Sequence, residues 1–252
     1  MLNRNRITHG LKIAAVAAFV ALVPVFLITL NVRWVVNFPP LYTHGYDEYE
    51  HTIRHYLDIE REDYLEAGRK IREYFNDDSE FIMIQVPVGG VTMVNLFNER
   101  EILHMVDVKV LVKGIYRLSE IAGVYLLGFV IAGFAMRKRA FLPLLGRFAS
   151  MGGILTLALG GFVGLGSLVG FDRLFLFFHQ ISFSNDLWQL DPRRDFLIAL
   201  YPQGFFFDAT ILIASSVVVM AILLAAVPIV LAKRANRIAE TRSVGHPADS
   251  LS

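Results

Sequence analysis

The sequence lacks cysteine altogether and has few charged residues for its length. The absence of cysteine excludes disulfide bonds, thiolate nucleophiles and cysteine-bound metal sites. Charged side chains make up 19% of the 252 residues, whereas 55% of the residues are hydrophobic. That balance is too apolar for an ordinary soluble domain of this length. The formal net charge of +1 gives no indication of nucleic-acid binding.

Four long hydrophobic runs account for this composition. Each run is close to the roughly 20 residues that a helix needs to cross about 30 Å of hydrocarbon. A helix also satisfies its own backbone polar groups, which the bilayer core requires. The first run is long for a signal peptide and is not followed by a cleavage site of small residues, so we expect it to remain as a span. The predicted spans are residues 13–32, 116–136, 149–171 and 209–232.

The distribution of charge indicates the orientation in the membrane. Lysine and arginine are concentrated in residues 1–12, 137–148 and 233–252. By contrast, residues 33–120 carry 10 basic and 16 acidic side chains, and residues 172–208 carry 3 and 5. The positive-inside rule therefore places both termini and the 137–148 loop in the cytoplasm.

The first outer segment, residues 33–115, is long enough to fold. Its patterns predict a helix at 58–76, a β-hairpin at 81–97 with a turn at Gly89 and Gly90, and a second helix at 99–115. The predicted fold class is therefore an α-helical polytopic membrane protein with four transmembrane helices. A small α+β extracytoplasmic domain is expected between the first and second spans.

Three other segments have distinctive compositions. Residues 172–208 are too polar to span a membrane and too aromatic for a solvated loop, which indicates an amphipathic segment at the membrane interface. The tail at 233–252 has the composition of a disordered segment. The third span has glycines at 160, 164, 166 and 170, a spacing that favours tight helix packing, with room for a lipid chain as the alternative.

One histidine lies between two carboxylates at helical spacing. His104 follows Glu101 by three residues and precedes Asp107 by three. A carboxylate one turn away can bond one ring nitrogen, which fixes the tautomer and raises the basicity of the other nitrogen. His179 lies in the other outer segment, so the predicted topology places both histidines on one side of the membrane. Together with Asp107, Lys109, Asn185 and Asp186 they are candidates for a single site.

The sequence offers no convincing nucleophile of its own. It contains no G-x-S-x-G elbow, so the nucleophile of any reaction is water or a group of the substrate. One hypothesis is histidine acid–base chemistry on a lipid ester. A second is a metal such as zinc held by Glu101, His104, Asp107 and His179 in a membrane lipid hydrolase. The absence of H-E-x-x-H favours the chemistry without a metal or cofactor, and a non-catalytic lipid-binding protein is the third hypothesis.

Two motifs resemble a known family. The first consists of Glu101, His104, Met105, Asp107, Val108 and Lys109. The second consists of Phe178, His179, Phe183, Asn185, Asp186 and Trp188, and continues through Asp191, Pro192, Asp195, Tyr201, Pro202, Phe205 and Phe206. In this order, and with four spans and an outer domain after the first, they resemble the bacterial lipoprotein intramolecular transacylase family, Lit.

The resemblance implies an acyltransferase of the bacterial cytoplasmic membrane with an extracytoplasmic site. Its substrate would be a lipoprotein whose N-terminal cysteine carries a diacylglyceryl group, and its partners would include membrane lipids. The sn-2 acyl chain would move to the α-amino group of that cysteine, giving a lyso-form lipoprotein. The two essential histidines of the family correspond to His104 and His179 in this sequence.

The predicted roles in the site follow from these two histidines. We expect His104 to be the base, oriented by Asp107 or Glu101, and His179 to be the proton donor or oxyanion stabiliser. Polar and aromatic support is predicted from Lys109, Asn185, Asp186, Arg173 and Trp188. A straight helix would hold His104 far above the lipid, so we expect a bend at Gly114 or a tilt of the outer domain.

Overall fold

The computed structural model describes residues 4–88 and 92–244, and most of its elements are helices. In chain order they are α1 (Arg4–Val36), α2 (Pro39–Tyr56), α3 (Arg61–Asn76), β1 (Gln85–Val88), β2 (Thr92–Asn95), α4 (Glu99–Arg137), a 3₁₀ helix (Lys138–Phe141), α5 (Leu142–Ser182), α6 (Phe196–Leu200) and α7 (Gln203–Val244).

Three helical stretches are long and apolar enough to cross a membrane. They are Ile7–Val36, Glu99–Leu168 and Gln203–Ala226. The second stretch contains all of α4 and much of α5, which are separated by the 3₁₀ helix. Lys138, at the start of that 3₁₀ helix, has a φ of 49°, a value that the interior of a right-handed helix does not allow. The span predicted at 116–136 and most of the span predicted at 149–171 fall within this one stretch.

The chain divides into two compact units. The first comprises Met1–Ile28, Ser119–Gly161 and Val217–Ser252, and the second comprises Thr29–Leu118 and Phe162–Ser216. In the first unit, Phe19, Val23 and Leu27 of α1 form a buried cluster with Ala221 of α7. Their side chains recur at intervals of four residues along α1, so they lie on one face of the helix.

The glycines of α5 pack differently from the expectation. A Cβ atom on Gly153 would lie 2.8 Å from the Ala221 carbonyl oxygen, so α5 and α7 approach closely there. A Cβ atom on Gly160 would make an ordinary contact at 3.6 Å. On Gly166 or Gly170 it would meet no described atom within 4 Å. A Cβ atom on Gly164 would lie 3.7 Å from that of Ala214, so Gly160 and Gly164 contact α7 at ordinary distances and the prediction of packing along the glycine run holds only in part.

The second unit is built on an aromatic core. Tyr42 of α2 and Tyr64 of α3 contact the ring of Tyr201, with centroids 6.0 and 5.4 Å away, and Tyr201 lies 4.9 Å from Phe205 of α7. A Cβ atom on Gly45 would lie 2.6 Å from the Phe205 ring, so glycine allows α2 to pack against that ring. The core thereby positions the segment that leads from α6 into α7.

Helix α2 was not predicted. Pro39 and Pro40 occupy its first turn, where proline fixes a helical φ and leaves no donor unpaired. Tyr42, Tyr46 and Ile53 are buried, and their spacings of four and seven residues are typical of one helix face. The signal was therefore present in the sequence, although the polar composition of the segment obscured it.

Helix α3 lies within the predicted range of 58–76. Its first turn carries Glu62 and Asp63, whose negative charges complement the partial positive charge of a helix N-terminus. The apolar face of α3 is buried in the second unit. It consists of Tyr64, Ala67, Ile71, Tyr74 and Phe75.

The strands β1 and β2 form a short antiparallel ribbon. Gln85 pairs with Asn95 and Val88 with Thr92, while the predicted turn at Gly89 and Gly90 lies outside the described residues. Two four-residue strands are too few to form a packed layer. Helices supply most of the core of this unit, so the predicted α+β domain is better described as a helical domain that carries a two-stranded ribbon.

The break in the long helices occurs at a different place from the one predicted. Helix α4 is continuous from Glu99 to Arg137, so a bend at Gly114 is wrong. A single glycine costs a helix about 1 kcal/mol relative to alanine but does not end it. In α5, by contrast, Gly170 leaves the helical region with φ −170° and ψ 66°. The helix resumes and carries the chain to His179.

Two segments outside the predicted helices, the amphipathic interfacial segment and the tail, contain helix. The interfacial segment at 172–208 belongs to α5 as far as Ser182 and to α7 from Gln203 onward, which leaves a loop at 183–195 and the short α6. The tail predicted to be disordered is helical as far as Val244, and its last eight residues lie outside the described range. Its alanine, arginine and glutamate residues are strong helix formers, which explains this difference.

Candidate active site

Two buried histidines lie side by side in the second unit. His104 is on the second turn of α4, and His179 is on the last turn of α5. They are 5% and 9% exposed, and their ring centroids are 6.3 Å apart. Residues from two distant segments of the chain therefore form one site.

Aromatic side chains surround His179. Its ring lies 4.4 Å from Phe175 and 5.3 Å from Phe178 on the same helix, measured between centroids. From the following loop, Phe183 lies 5.7 Å away and Trp188 5.2 Å away. These rings bury the imidazole and restrict its orientation.

The main chain of α5 determines the tautomer of His179. Its Nδ1 lies 2.7 Å from the carbonyl oxygen of Phe175. A carbonyl oxygen only accepts, so Nδ1 carries the proton and Nε2 keeps its lone pair. Burial lowers the pKa of His179 below its ordinary value of 6.5, and the hydrogen bond to Phe175 offsets this in part. The ring is therefore neutral at neutral pH, with Nε2 able to accept a proton.

His104 has a different environment. Its ring packs edge-on against Phe183 at 5.1 Å, and its Nδ1 is buried with no hydrogen-bond partner in the described part of the chain. An unpartnered buried polar atom is costly and in native proteins points to a ligand, water or function. The expected carboxylate partner of His104 is not at this nitrogen.

Glu101 stabilises the fold around the site and does not orient His104. The residue is completely buried. One carboxylate oxygen accepts the backbone N–H of Asn98 at 2.8 Å, and the other accepts that of Leu197 at 2.5 Å. The carboxylate thus caps the start of α4 and joins it to α6. The expectation that Glu101 orients His104 is not met, because backbone donors occupy both of its oxygens.

Asp107 is likewise bonded to another group. Its Oδ2 accepts Nδ2 of Asn185 at 2.8 Å, and Oδ1 of Asn185 accepts the backbone N–H of Leu187. Burial lowers the pKa of His104, and Asp107 is near enough for its negative charge to raise that pKa in part. Its hydrogen bond, however, holds the loop at 183–195 against α4.

Arg100 is a component of the site that the sequence did not reveal. Its guanidinium donates to the backbone carbonyl oxygens of Asp186 and Leu187, at 2.5 and 3.4 Å. Arginine on the first turn of a helix does not indicate such a contact, since its partners are main-chain atoms of a distant loop. A second unexpected contact lies beside it, where Asn98 donates to the buried carboxylate of Asp195 at 2.9 Å.

The remaining predicted residues fall into two groups. Asp186 and Trp188 lie in the loop beside the histidines, as Asn185 does. Lys109 lies elsewhere, because its ammonium donates to Asp77 at 2.8 Å and to the Ser79 carbonyl at 2.6 Å. Arg173 is exposed on α5 and is not among the cavity-lining residues.

A cavity of about 930 Å³ opens beside the two histidines. Aromatic and aliphatic side chains form one part of its wall, and amide, hydroxyl and carboxylate groups form another. The lining includes His104, His179, Phe183, Asp186, Trp188 and Phe206. A volume of several hundred Å³ with a few converging polar groups is typical of a small-molecule or lipid site.

The predicted metal-binding set does not assemble. In residues 4–88 and 92–244, no three side chains of the types His, Asp and Glu come close enough to hold a metal ion. The reason is visible at Glu101, whose oxygens accept two backbone N–H groups.

The arrangement can transfer protons and stabilise an oxyanion. One imidazole has a free lone pair on Nε2, and a second imidazole lies within 6.3 Å between ring centroids. Ser184 and Thr52 line the cavity, but no hydrogen bond joins either hydroxyl to a histidine in the part of the chain that the structure describes. The pair of histidines is therefore suited to a reaction in which the substrate supplies the nucleophile.

A family profile decides the relationship. Residues 17–206 match the profile described as lipoprotein intramolecular transacylase Lit, which covers most of the chain and both histidines. The chain belongs to this family. It is accordingly an integral, multi-pass membrane protein related to a family of transacylases.

A sequence relative is known from Aquifex aeolicus (strain VF5), where it is described only as an uncharacterized protein. It is 32% identical over 124 residues, which cover 47% of this chain and 50% of the relative. The chain therefore spans about half the length of that curated relative.

Solved structures show the same fold. The in meso structure of the membrane integral lipoprotein intramolecular transacylase Lit from Bacillus cereus matches with a TM-score of 0.73 at 20% identity, covering 91% of this chain and 99% of that chain. Two structures of variants of that protein, with a histidine replaced by arginine or by alanine, match with TM-scores of 0.68 and 0.67 at 20% and 19% identity. They cover 92% and 93% of this chain, and 96% and 100% of their own.

Proposed function

We propose that this protein moves the sn-2 acyl chain of an S-diacylglyceryl-cysteine to the α-amino group of the same cysteine. The product is a lyso-form lipoprotein. The observation that carries the proposal is the pair of buried histidines in one cavity, 6.3 Å apart between centroids, neither of which bonds to a hydroxyl group of the described residues. The substrate amine is the nucleophile, so no serine or cysteine is required.

The reaction transfers an acyl group without net loss or gain of protons. The amine nitrogen attacks the ester carbonyl carbon, and a C–N bond forms as the C–O bond to glycerol breaks. The proton lost by the amine is delivered to the departing glycerol oxygen. An α-amine has a pKa of about 8, so an imidazole base can deprotonate it at neutral pH. Amine and ester belong to one molecule, so correct positioning supplies much of the rate enhancement.

The hydrogen bonds favour His179 as the base, the reverse of the expectation from sequence. Its Nδ1 donates to the Phe175 carbonyl, which leaves the Nε2 lone pair for the substrate amine. The same nitrogen then returns the proton to the glycerol oxygen. His104, whose ring also lines the cavity, is assigned the hydrogen bond to the developing oxyanion. A neutral imidazole is a suitable donor for that purpose.

The surroundings of the histidines suit a lipid substrate. Leu176, Phe177, Phe178 and Ile181 are exposed on the same turns of α5 as His179. A contiguous apolar surface of this kind is typical of contact with lipid or a partner. An acyl chain can therefore reach the cavity from an apolar environment while the amine occupies its polar part.

We propose that the chain crosses the bacterial cytoplasmic membrane four times. The 70-residue stretch Glu99–Leu168 would be about 105 Å long as one helix, far more than about 30 Å of hydrocarbon. Division at the 3₁₀ helix gives two crossings and places its basic residues in the cytoplasm. Residues 33–115 and 172–208, which contain both histidines, then face outward towards the lipoprotein substrate.

Mass spectrometry of lipoprotein N-termini tests the proposal. Cells that express the wild-type chain should contain the lyso-form, whereas His104→Asn and His179→Asn should abolish it at unchanged membrane levels of the protein. His51→Asn, at an exposed histidine of α2, is the matched control and should leave the product unchanged. Release of a free fatty acid with the α-amine left unacylated, stopped by chelation, would favour a metal-dependent hydrolase. A lipid-binding protein without catalysis would give no product from any variant.

A further inference from the structure

The cavity beside the histidines has one formal charge in its wall. Among the described residues that line it, Asp186 is the only carboxylate, and none is lysine or arginine. His179 is neutral because burial lowers its pKa. A carboxylate in the wall of a partly apolar cavity attracts a cationic group of a ligand. The site therefore has a preference in electrostatic sign, towards a cationic group.

The carboxylate of Asp186 retains capacity to bind a ligand. Its Oδ1 accepts one hydrogen bond, from Nε2 of Gln189 at 3.0 Å. An ionised carboxylate offers about four acceptor positions on its two oxygens. The nearby cation, Arg100, donates to the backbone carbonyl of Asp186 and to that of Leu187. The Asp107 carboxylate of α4 is bonded to Asn185.

Aromatic rings also line the cavity. Trp188 is two residues beyond Asp186, and its ring lies 5.2 Å from that of His179. Phe183 lies 5.7 Å from His179 and 5.1 Å from His104. The faces of such rings attract an ammonium group through their quadrupole, most strongly in the case of tryptophan. His104 also lines the cavity, and its buried Nδ1 has no hydrogen-bond partner among the described residues.

We propose that Asp186 and the Trp188 ring form an ammonium subsite that selects a free, protonated α-amine. This inference rests on the proposed function and names the group that the site recognises. The ammonium of the substrate binds at Asp186 and gives up one proton to bulk water before it reacts. The neutral amine then passes its second proton to Nε2 of His179 as it attacks the ester carbonyl, and that proton goes to the glycerol oxygen. The carboxylate also stabilises the positive charge that nitrogen acquires when it attacks the ester carbonyl.

The subsite also distinguishes product from substrate. After the transfer, the nitrogen is a neutral amide and no longer pairs with the carboxylate of Asp186. The product therefore loses this interaction, which favours its release over rebinding. An N-acylated lipoprotein supplied from outside is excluded for the same reason.

Binding of two unreactive ligands tests the subsite. Both are short lipopeptides whose glyceryl chains are attached by ether bonds, so that no acyl group can be transferred. One has a free α-amine, and the other has an N-acetyl group. The wild-type protein should bind the free amine about 10-fold to 100-fold more tightly, as expected for a hydrogen bond to a charged group. Asp186→Asn should reduce that ratio to below about 2-fold and leave the affinity for the N-acetyl ligand unchanged.

Two further variants control for charge and for folding. Asp191→Asn removes the same charge from the same loop, but at a carboxylate that pairs with Arg193 and does not line the cavity, and it should keep the wild-type ratio. Asp186→Glu keeps the charge and should keep a preference for the free amine. If Asp186→Asn binds neither ligand, recovery of the preference in Asp186→Glu supports the subsite, and its absence overturns it.

The outcomes separate this inference from the proposed function. Equal affinity of the wild-type protein for both ligands, or equal loss of the ratio in Asp191→Asn, overturns the ammonium subsite whatever the activity. Failure of the wild-type protein to transfer an acyl chain on the ester-linked lipopeptide overturns the transacylase function. In that case a ratio that depends on Asp186 would still show an ammonium-binding cavity.

Discussion

The roles of individual residues depend on atoms that residue type alone does not specify. His179 is held in one tautomer by the Phe175 carbonyl, an acceptor that every residue possesses. Glu101 precedes His104 by one helical turn, and its carboxylate accepts hydrogen bonds from two backbone N–H groups. The spacing of Glu101 and His104 predicted an interaction between their side chains. The Glu101 carboxylate instead accepts backbone N–H groups that would otherwise be buried without a partner.

The lowered pKa of His179 predicts a pH dependence of the reaction. Activity that needs neutral His179 is fully present above its pKa and is lost as the pH falls through that value, which lies below 6.5. Trp188→Ala exposes the ring to water and should move the acid limb of the kcat/KM profile upward, towards 6.5. The pH–rate profile on a soluble lipopeptide measures this shift. Trp34→Ala is the matched control, since Trp34 packs on Phe38 instead. An unchanged acid limb in Trp188→Ala would contradict the assignment of His179 as base.

Replacement of Glu101 tests its structural role. In Glu101→Gln one carboxylate oxygen becomes an amide N–H₂, which cannot accept the backbone N–H that it faces. A buried donor left unpaired costs about 1–3 kcal/mol, so the free energy of unfolding should fall by that amount. Thermal or denaturant unfolding in detergent measures the loss. Glu99→Gln, at the exposed neighbour, should change stability by less than about 0.5 kcal/mol. Equal effects of the two substitutions would rule out the capping role.

At the scale of elements, the first turns of α4 organise the loop at 183–195. Arg100 donates to two carbonyls of the loop, Asp107 accepts from Asn185, and Glu101 accepts from the first turn of α6. The loop carries Trp188 and Asp186 to the cavity. Helix α4 therefore contributes a histidine to the cavity and also holds this loop in place. Hydrophobic periodicity located α4, but the contacts on its polar side follow from the way that α4, α5 and α6 pack.

Two glycines in helices are predicted to respond oppositely to alanine. In Gly45→Ala the new methyl carbon would lie 2.6 Å from the buried Phe205 ring, so we expect a loss of about 1–3 kcal/mol in unfolding free energy. In Gly114→Ala no described atom lies within 4 Å, and the better helix former should stabilise α4 by about 0.5–1 kcal/mol. The same unfolding assay compares them. Unchanged unfolding free energy in Gly45→Ala would show that α2 does not pack closely on Phe205.

At the scale of the whole molecule, charge and hydropathy govern the relation to the membrane. Basic residues cluster at both termini and around the 3₁₀ helix, whereas the segments that contain His104 and His179 carry excess acid. These are properties of long segments, and they do not depend on which side chains touch.

The absence of native cysteine makes the proposed topology testable without background labelling. Asp58→Cys, at a highly exposed side chain, should react with a membrane-impermeant maleimide in spheroplasts. Arg139→Cys, in the 3₁₀ helix, should react only after permeabilisation. Labelling is read by a mass shift on the protein, and the unmodified chain should show none. The reverse pattern would place the histidines on the cytoplasmic side and contradict an outward-facing active site.

Much of the fold was predictable, because it depends on local pattern. The apolar face of α3, the paired strands and the apolar spans all follow from periodicity and composition. The errors also have local causes. Gly114 permits a break in a helix without requiring one, and the composition of the polar tail permits disorder in the same way. Both segments are helical in the structure. At Gly170 the helix is interrupted although its sequence is as apolar as its neighbours.

By itself, the sequence determined the class of protein, the hydrophobic stretches, the excess of acid around the histidines, and the lack of cysteine. These properties follow from the composition and order of the residues, and they do not depend on how the helices pack. Only the tertiary structure decided that His104 and His179 share a cavity, that Phe175 fixes one tautomer, and that Glu101 supports the scaffold. Those features depend on contacts between segments distant in sequence, whose geometry is set by the packing of several helices at once.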